Sequence, residues 1–259
     1  MDFFHLFIIF AAGGIAGLMN AIAGGGTIIT FPALIFAGLP SIPANATSTV
    51  ALLPSALGYT IGYRKNIPAV WHWIKLFALV SVVGGFLGGI LLVQTPPAVF
   101  DWLVPFLILM ATALFTMNNF FPKLLRFELR NQAGEHRKRW LFSAVVFQFF
   151  VSVYGGYFGA GIGILMLATL GMLGMTNINE MNTVKGILGF LVNIIAAIYF
   201  VVRGLINWEA AAVMTCGSAI GGYSGAYFAQ RIPQKAVRWI ITGIGLVLTI
   251  LTLVKQLKR

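Results

Sequence analysis

Long, continuously apolar stretches recur along the chain, and the polar residues lie mainly in short intervals between them. The long stretches fall at roughly 4–22, 46–63, 76–93, 98–118, 140–158, 186–202, 210–229 and 237–254. A helix of about 20 apolar residues crosses the apolar core of a bilayer. A membrane β-barrel would instead show short strands that alternate apolar and polar residues, and these stretches do not alternate. The pattern predicts an all-α, polytopic integral membrane protein with about eight transmembrane helices.

Two further apolar stretches, 27–39 and 162–175, are too short for an ordinary membrane span. Each follows a cluster of glycines and precedes a polar turn and another long apolar stretch. The glycines that flank the two short stretches keep the same spacing, starting from Gly25 in the first case and Gly161 in the second. We therefore predict a glycine-broken or re-entrant segment in each half of the chain.

The matching order of these features predicts an internal duplication. Residues 1–118 would form the first membrane repeat, 119–139 a basic linker, and 140–259 the second membrane repeat. Internal repeats of this kind are a common plan among secondary transporters. The charges of the loops do not decide whether the two repeats are inverted or parallel, so both arrangements stay open.

The charged residues fit a membrane protein better than a soluble one. Only 9% of the residues are charged, against about 25% in a soluble domain. The formal net charge is +11, and the densest basic cluster lies in the loop 119–139. Because basic loops stay on the cytoplasmic side of a membrane, we predict a cytoplasmic linker and no nucleic-acid partner.

The chain shows no signature of an enzyme or of a metal centre. The sequence contains no G-x-S-x-G, H-E-x-x-H or Walker A motif. Its one cysteine, Cys216, excludes an internal disulfide, and the three histidines lack the spacing of metal ligands. We predict no catalytic residues, no metal and no cofactor.

The glycine clusters point to a binding site for a small anion. A break in a membrane helix persists where it faces protein or a water-filled cavity. The N–H groups at the start of a helix favour negative charge. Asn45 and Asn182 are predicted to open long helices as N-caps. The candidate substrate-binding residues from these patterns are Gly24, Gly25, Gly26, Asn45, Thr47, Ser48, Gly159, Gly161, Gly163, Asn182 and Thr183.

Lys185 completes the list of candidate residues that these patterns give. A lysine next to a long apolar stretch needs an anionic partner or a route to water, so Lys185 is a candidate ligand for the substrate. It could equally pair with Glu180 or extend towards the membrane interface. The glycines within 84–89 and 217–225 are predicted instead to allow close helix packing.

The motif Asn20-Ala-Ile-Ala-Gly-Gly-Gly-Thr27 resembles the first-repeat signature of the TauE/SafE sulfite exporter family. Pro32-Ala-Leu34, Gly38-Leu-Pro40 and Ala44-Asn-Ala-Thr-Ser48 continue the resemblance, which spans essentially the whole chain. The resemblance implies transport of sulfite, sulfoacetate or related organosulfur anions by a multi-pass protein of the bacterial inner membrane. It also adds Asn20 and Thr27 to the candidate substrate-binding residues.

Together these observations predict a secondary transporter, and by the resemblance an exporter, of a small anion such as sulfite or an organosulfonate. It would work by alternating access between the two repeats. The alternatives are an anion channel and a membrane assembly subunit without a substrate. The expected partners are the anion and the lipid bilayer, and the oligomeric state stays open, a homodimer being one option.

Overall fold

The computed structural model describes residues 1–22, 24–62, 64–117 and 135–228, together with residue 243. Within these residues the chain is helical and contains no strand. Most of the predicted linker and the predicted span 237–254 lie outside the described residues. The α-helices are α1 (Phe3–Ile22), α2 (Thr27–Phe36), α3 (Ser41–Ala51), α4 (Leu53–Gly62), α5 (Ile67–Gln94), α6 (Pro97–Met117), α7 (Glu135–Tyr157), α8 (Ile162–Met172), α9 (Ile178–Val202) and α10 (Trp208–Phe228).

Three stretches of the described chain are long and apolar enough to cross a membrane. They are Phe3–Asn20, Arg64–Gln94 and Ile178–Val202. Shorter apolar helices lie between them, including Thr27–Phe36 and Ile162–Gly171. The all-helical membrane fold expected from the sequence is therefore confirmed, while the number of spans stays a prediction.

The stretch 46–63 is not the single helix that its apolar pattern predicts. The structure divides it between α3 and α4, which meet at Leu52. Pro54 explains the division, because proline lacks an N–H group and its ring clashes with the carbonyl four residues earlier, here that of Val50. The prediction of one continuous helix was wrong because it followed hydrophobicity and ignored this proline.

Glycines bring two pairs of helices into backbone contact. A Cβ atom built at Gly221 in α10 would overlap the carbonyl group of Gly14 in α1. In the second pair, a Cβ atom at Gly84 in α5 would lie 2.6 Å from the Cβ of Ser152 in α7, and one at Gly88 would overlap the carbonyl of Val153. The prediction that these glycines serve close helix packing is confirmed.

One helix of each pair, α5 in one and α10 in the other, also uses a glycine to contact a further helix closely. A Cβ atom at Gly85 in α5 would lie 2.9 Å from the carbonyl oxygen of Val192 in α9. A Cβ atom at Gly222 in α10 would lie 3.1 Å from the Cα of Ser55 in α4. As a result α5 packs with α7 and α9, whereas α10 packs with α1, α3 and α4.

Three fully buried phenylalanines join α2, α6 and the end of α7. The ring centroids of Phe31 and Phe158 lie 5.4 Å apart, and the ring centroid of Phe100 lies 6.4 Å from each of the other two. The rings meet edge to face, the favoured geometry for aromatic pairs. Phe158 directly precedes the second glycine cluster, so this aromatic group holds that part of the chain against α2.

Candidate functional site

The first glycine cluster forms a left-handed break between α1 and α2. Gly24 and Gly25 have φ angles of +80° and +97°, which only glycine adopts without strain. The side chain of Asn20 holds the break, because its Oδ1 accepts the N–H of Gly26 at 2.9 Å and its Nδ2 donates to Ser55 Oγ at 3.2 Å. Asn20 therefore ties the end of α1 both to the start of α2 and to α4.

The second cluster forms a similar break between α7 and α8. Gly159 and Gly161 both have a φ angle of +75°. Here a tyrosine holds the backbone, since the hydroxyl of Tyr154 donates to the carbonyl of Ala160 at 2.6 Å. The two breaks thus share their backbone geometry but use different side chains to fix it.

The two breaks lie against each other in the structure. A Cβ atom built at Gly24 would lie 3.4 Å from the Cα of Gly163, and one at Gly25 would lie 3.4 Å from the nitrogen of Gly161. The N-terminal ends of α2 and α8 therefore lie side by side. Each end carries the partial positive charge of a helix start.

A cavity of about 70 Å³ lies beside this junction. That volume holds roughly five water molecules, or one small anion, at the 10–15 Å³ that one water needs. Its walls come from α1, the two breaks, α2, α3, α4, α8 and α9. The lining residues are Asn20, Gly24, Gly25, Thr27, Thr49, Leu52, Ala56, Gly159, Ile162, Gly163, Met166, Lys185, Gly186, Gly189, Phe190 and Asn193.

Lys185 supplies the positive charge of this cavity. It lies in α9, its exposed fraction is 4%, and it belongs to the cavity wall. Among the described residues that line the cavity, no other is charged and none is acidic. A cationic wall without carboxylates suits an anion, and a buried lysine in a helix long and apolar enough to span a membrane is a candidate functional residue.

Half of the residues predicted from the sequence line the cavity. They are Asn20, Gly24, Gly25, Thr27, Gly159, Gly163 and Lys185. Gly26 and Gly161 belong to the breaks but not to the wall. The N–H of Gly26 is taken by Asn20, and Gly161 lies near Ala111 of α6.

The predicted N-cap in the first half was wrong. Asn45, Thr47 and Ser48 lie inside α3, whose N-cap is Pro40. The helix begins earlier because Pro43 falls in its first turn, where a missing N–H group costs nothing.

The three side chains make long-range contacts instead of capping α3. Asn45 Nδ2 donates to the carbonyl of Tyr157 at 2.9 Å, and Thr47 Oγ1 accepts the N–H of Asn207 at 3.1 Å. Ser48 pairs with Thr30 of α2, their hydroxyl oxygens 2.5 Å apart. These residues therefore hold α3 in place and are not part of the cavity wall.

The predicted N-cap in the second half was also wrong. Asn182 and Thr183 lie inside α9, and the cap is Asn177, whose side chain accepts the N–H of Asn179 at 3.0 Å. Glu180 stands three residues after Asn177, and its carboxylate accepts from the Asn177 amide at 3.0 Å. An N-cap residue followed three positions later by glutamate is a recognised start signal, so the sequence contained the information.

Two polar residues of the cavity wall were missed as candidate ligands. Thr49 lies as many residues after Gly25 as Lys185 lies after Gly161. The matching spacing in the two halves of the sequence could therefore have indicated Thr49 as a candidate ligand. Asn193 is a single asparagine in an apolar stretch, a pattern that helix–helix hydrogen bonding also explains. Its place in an apolar helix gave no further signal, because only the packing of α9 against the breaks puts it on the wall.

The fold and the cavity define a helical membrane protein with a cationic cavity between its helices. Residues 9–252 match the sequence profile of the Sulfite exporter TauE/SafE family, and the chain belongs to that family. The family consists of membrane transporters, so the chain is a transporter and not an enzyme.

Several relatives match over nearly their full length. A probable membrane transporter protein of Haemophilus influenzae is 30% identical, with 94% of this chain and 92% of the relative covered. A probable membrane transporter protein, ORF9, of a Sinorhizobium species is 27% identical over 95% and 92% of the two chains. The probable membrane transporter protein YfcA of Escherichia coli K12 is 25% identical over 93% and 87%. No solved structure matches the chain.

Proposed function

We propose that this transporter is a multi-pass protein of the cell inner membrane that exports a small anion, such as sulfite or an organosulfonate, by secondary transport. The observation that carries the proposal is the cavity beside the two breaks, with Lys185 in its wall. The description of the family as sulfite exporters supports the class of substrate and the direction.

The electrostatics of the cavity favour an anion from two sides. Lys185 brings a full positive charge, and the adjoining ends of α2 and α8 bring partial positive charges. Broken helices whose N-terminal ends approach a site near the middle of the molecule recur among secondary transporters. The amide groups of Asn20 and Asn193 add polar atoms that can orient the bound anion.

The packing supports two related halves and suggests how they move. Gly85 of α5 contacts Val192 of α9, and Gly222 of α10 contacts Ser55 of α4. The two glycines occupy similar places in the two predicted repeats, and so do the helices that they contact. Because α1 packs on α10 and α5 packs on α7, each tight bundle contains helices from both repeats. Alternating access would then move these two mixed bundles about the cavity.

The role of Lys185 can be tested by transport into proteoliposomes. Lys185→Met keeps the length of the side chain and removes its charge, and Lys75→Met is the control because Lys75 is an exposed lysine on α5 outside the cavity wall. We expect Lys185→Met to lower the uptake of labelled sulfite about tenfold or more, since a lost hydrogen bond to a charged group costs roughly 1.5–3 kcal/mol. The Lys75→Met control should transport normally.

The same vesicles distinguish the proposal from its alternatives. A carrier gives saturable uptake and exchanges internal for external anion, whereas a channel gives flux without exchange. An assembly subunit gives neither. If Lys185→Met transports sulfite as well as the unchanged protein, the anion does not bind in this cavity.

A further inference from the structure

Contacts between helices define two sides of the molecule. A Cβ atom at Gly84 of α5 would lie 2.9 Å from the carbonyl oxygen of Phe149, and one at Gly88 would lie 2.7 Å from the nitrogen of Tyr157. Residue numbers therefore rise together along α5 and α7, so the two helices run parallel. We call the side on which both helices begin the linker side, because the predicted linker leads into α7, and the opposite side the far side.

The hairpin of α7 and α8 starts and ends on the linker side. A Cβ atom at Gly85 of α5 would lie 2.9 Å from the carbonyl oxygen of Val192, and one at Gly89 would lie 3.6 Å from the Cα of Ala196. Helix α9 thus runs parallel to α5 and also begins on the linker side. Since a short turn joins α8 to α9, α8 returns to that side.

The hairpin of α1 and α2 comes from the far side. Helix α10 follows α9 after a short turn and so begins on the far side. The amino group of Met1 lies 3.4 Å from Oε1 of Glu209 in the first turn of α10, which places the start of α1 there too. The ring centroids of His5 and Phe36 lie 5.8 Å apart, so the end of α2 returns to the start of α1. The two breaks therefore meet from opposite sides.

The cavity extends from the two breaks towards the linker side. Of the described residues of α2, the wall contains Thr27, the first of the helix, whereas α8 contributes residues as far as Met166. Lys185 lies in the half of α9 nearer the linker side. Ala56 belongs to α4, which leads through the turn Arg64–Asn66 to the start of α5. The described wall thus lies at the breaks and on their linker side.

Packed aromatic rings fill the far side of the breaks. Phe31 lies one helical turn beyond the residue of α2 that lines the cavity, and Phe158 follows the last residue of α7. Phe100 lies in the first turn of α6, which follows the far-side end of α5. Each of the three side chains is at most 1% exposed. The hydrogen bond from Asn45 of α3 to the carbonyl of Tyr157 closes the same end of α7.

Resting on the proposed function, we infer that Phe31, Phe100 and Phe158 form the gate that closes the path of the anion on the far side. In this conformation the gate is shut, and the cavity extends towards the linker side, the predicted cytoplasmic side from which an exporter loads. An anion cannot cross packed apolar rings without losing its hydration, so the rings must separate to release it. Phe31 is on the hairpin of α1, and Phe158 is at the end of α7, so movement of the two mixed bundles would part them.

Cysteine labelling from each side tests the gate without any substrate. Ala56→Cys places a thiol on the cavity wall, in a chain whose exposed Cys216 is replaced by serine. Lys65→Cys and Glu209→Cys, both at exposed positions, report the linker side and the far side of oriented membrane vesicles. Because a minor conformation is populated to about 10% or less, a membrane-impermeant thiol reagent should modify Ala56→Cys at least about tenfold faster from the linker side.

Removing one ring should open the gate. In the Ala56→Cys chain, Phe31→Ala should remove most of the difference in labelling rate between the two sides. Phe77→Ala is the matched control, since Phe77 is also fully buried but lies in α5, away from the gate. The control should lower the melting temperature without faster labelling from the far side. Equal effects of the two substitutions on labelling would mean that Phe31 has no gating role.

Cross-linking the gate tests its movement even where Phe31→Ala does not fold. Phe31→Cys with Phe158→Cys puts a thiol on each half of the gate, where the ring centroids lie 5.4 Å apart. A short bifunctional methanethiosulfonate reagent joins the thiols, and a reductant separates them. We expect cross-linking to stop transport of labelled sulfite and reduction to restore it, while each single cysteine variant, treated alike, keeps transporting. Sulfite should still shift the melting temperature of the cross-linked protein.

The outcomes separate the gate from the proposed function. The gate is refuted if Ala56→Cys is not labelled faster from the linker side, or if transport survives cross-linking. If the unchanged protein neither binds nor transports sulfite, while labelling is faster from the linker side and Phe31→Ala removes the difference, the proposed substrate is wrong and the gate stands.

Discussion

The glycines of the helix contacts and the glycines of the breaks have opposite structural requirements. Gly88 and Gly221 lie in regular helices, and a backbone from a neighbouring helix fills the space where a side chain would be. Gly24 and Gly25 have left-handed backbone angles, while the nearest atoms to an added Cβ lie at ordinary contact distances. At a helix contact, a side chain is therefore excluded because a neighbouring backbone occupies its space. At a break, a side chain is excluded because the backbone angles strain any residue other than glycine. Substitutions should separate the two groups.

The largest effect is expected at the helix contacts. Gly88→Ala places a methyl group against the carbonyl of Val153, and Gly221→Ala places one against the carbonyl of Gly14. Since neither backbone can move without separating two helices, we expect the free energy of unfolding to fall by about 2–3 kcal/mol. Thermal unfolding in detergent measures it.

A neighbouring glycine on the same helix serves as the control. The nearest atoms to a Cβ at Gly89 lie at 3.6 Å, an ordinary van der Waals distance. Gly89→Ala should therefore leave the melting temperature near that of the unchanged protein. Equal losses at Gly88 and Gly89 would contradict the packing role of Gly88.

A smaller loss of stability is expected at the first break. Gly25→Ala forces an alanine into a φ angle of +97°, which costs roughly 1–2 kcal/mol. Because Gly25 also lines the cavity, sulfite transport should fall further than the loss of folded protein explains. Transport per folded molecule in proteoliposomes checks this.

Gly38→Ala provides the same backbone strain at a different place. Gly38 has a φ angle of +92°, has no atoms within 4 Å of an added Cβ, and lies outside the cavity wall. We expect a similar drop in stability with normal transport. If both variants transport equally well, the first break has no special connection to the substrate.

The sequence predicted the positions of both breaks and the packing glycines, because glycine spacing is a local signal. Lys185 could also be singled out locally, since a base beside an apolar stretch is rare. The helix starts were less predictable from polarity alone. The start of α3 depends on Pro43, which the first turn of a helix tolerates, and the start of α9 depends on Asn177, whose side chain caps the helix.

Other features of the site depend on contacts between distant residues. Thr47 accepts a hydrogen bond from the backbone N–H of Asn207, and Asn45 donates one to the carbonyl of Tyr157. These polar residues of α3 therefore bond to residues that are distant in the sequence. No local pattern specifies such partners. The same holds for Asn193, whose place on the cavity wall follows from the packing of α9.

A further prediction asks whether the second break depends on its side-chain hydrogen bond. Tyr154→Phe removes the donor to the carbonyl of Ala160 and leaves the ring in place. We expect a loss of about 1 kcal/mol, the usual net value of one hydrogen bond. Calorimetric unfolding measures the loss. A neutral result would mean that the two left-handed glycines fix the break by themselves.

The smallest effect on stability is expected at Gly189, a helical glycine on the cavity wall. The nearest atom to an added Cβ is the sulfur of Met166 at 4.0 Å, so Gly189→Ala meets no steric conflict. Alanine favours a helix over glycine by about 1 kcal/mol, so the melting temperature should stay constant or rise.

Transport should nevertheless change in Gly189→Ala, because the methyl group takes space from a cavity of about 70 Å³. We expect uptake of a larger organosulfonate to fall more than uptake of sulfite, measured side by side in proteoliposomes. Gly58→Ala is the control, since Gly58 also lies in a helix, has no atoms within 4 Å of an added Cβ and is outside the wall. Unchanged selectivity in Gly189→Ala would show that the substrate does not reach this part of α9, and the site would then be confined to the breaks.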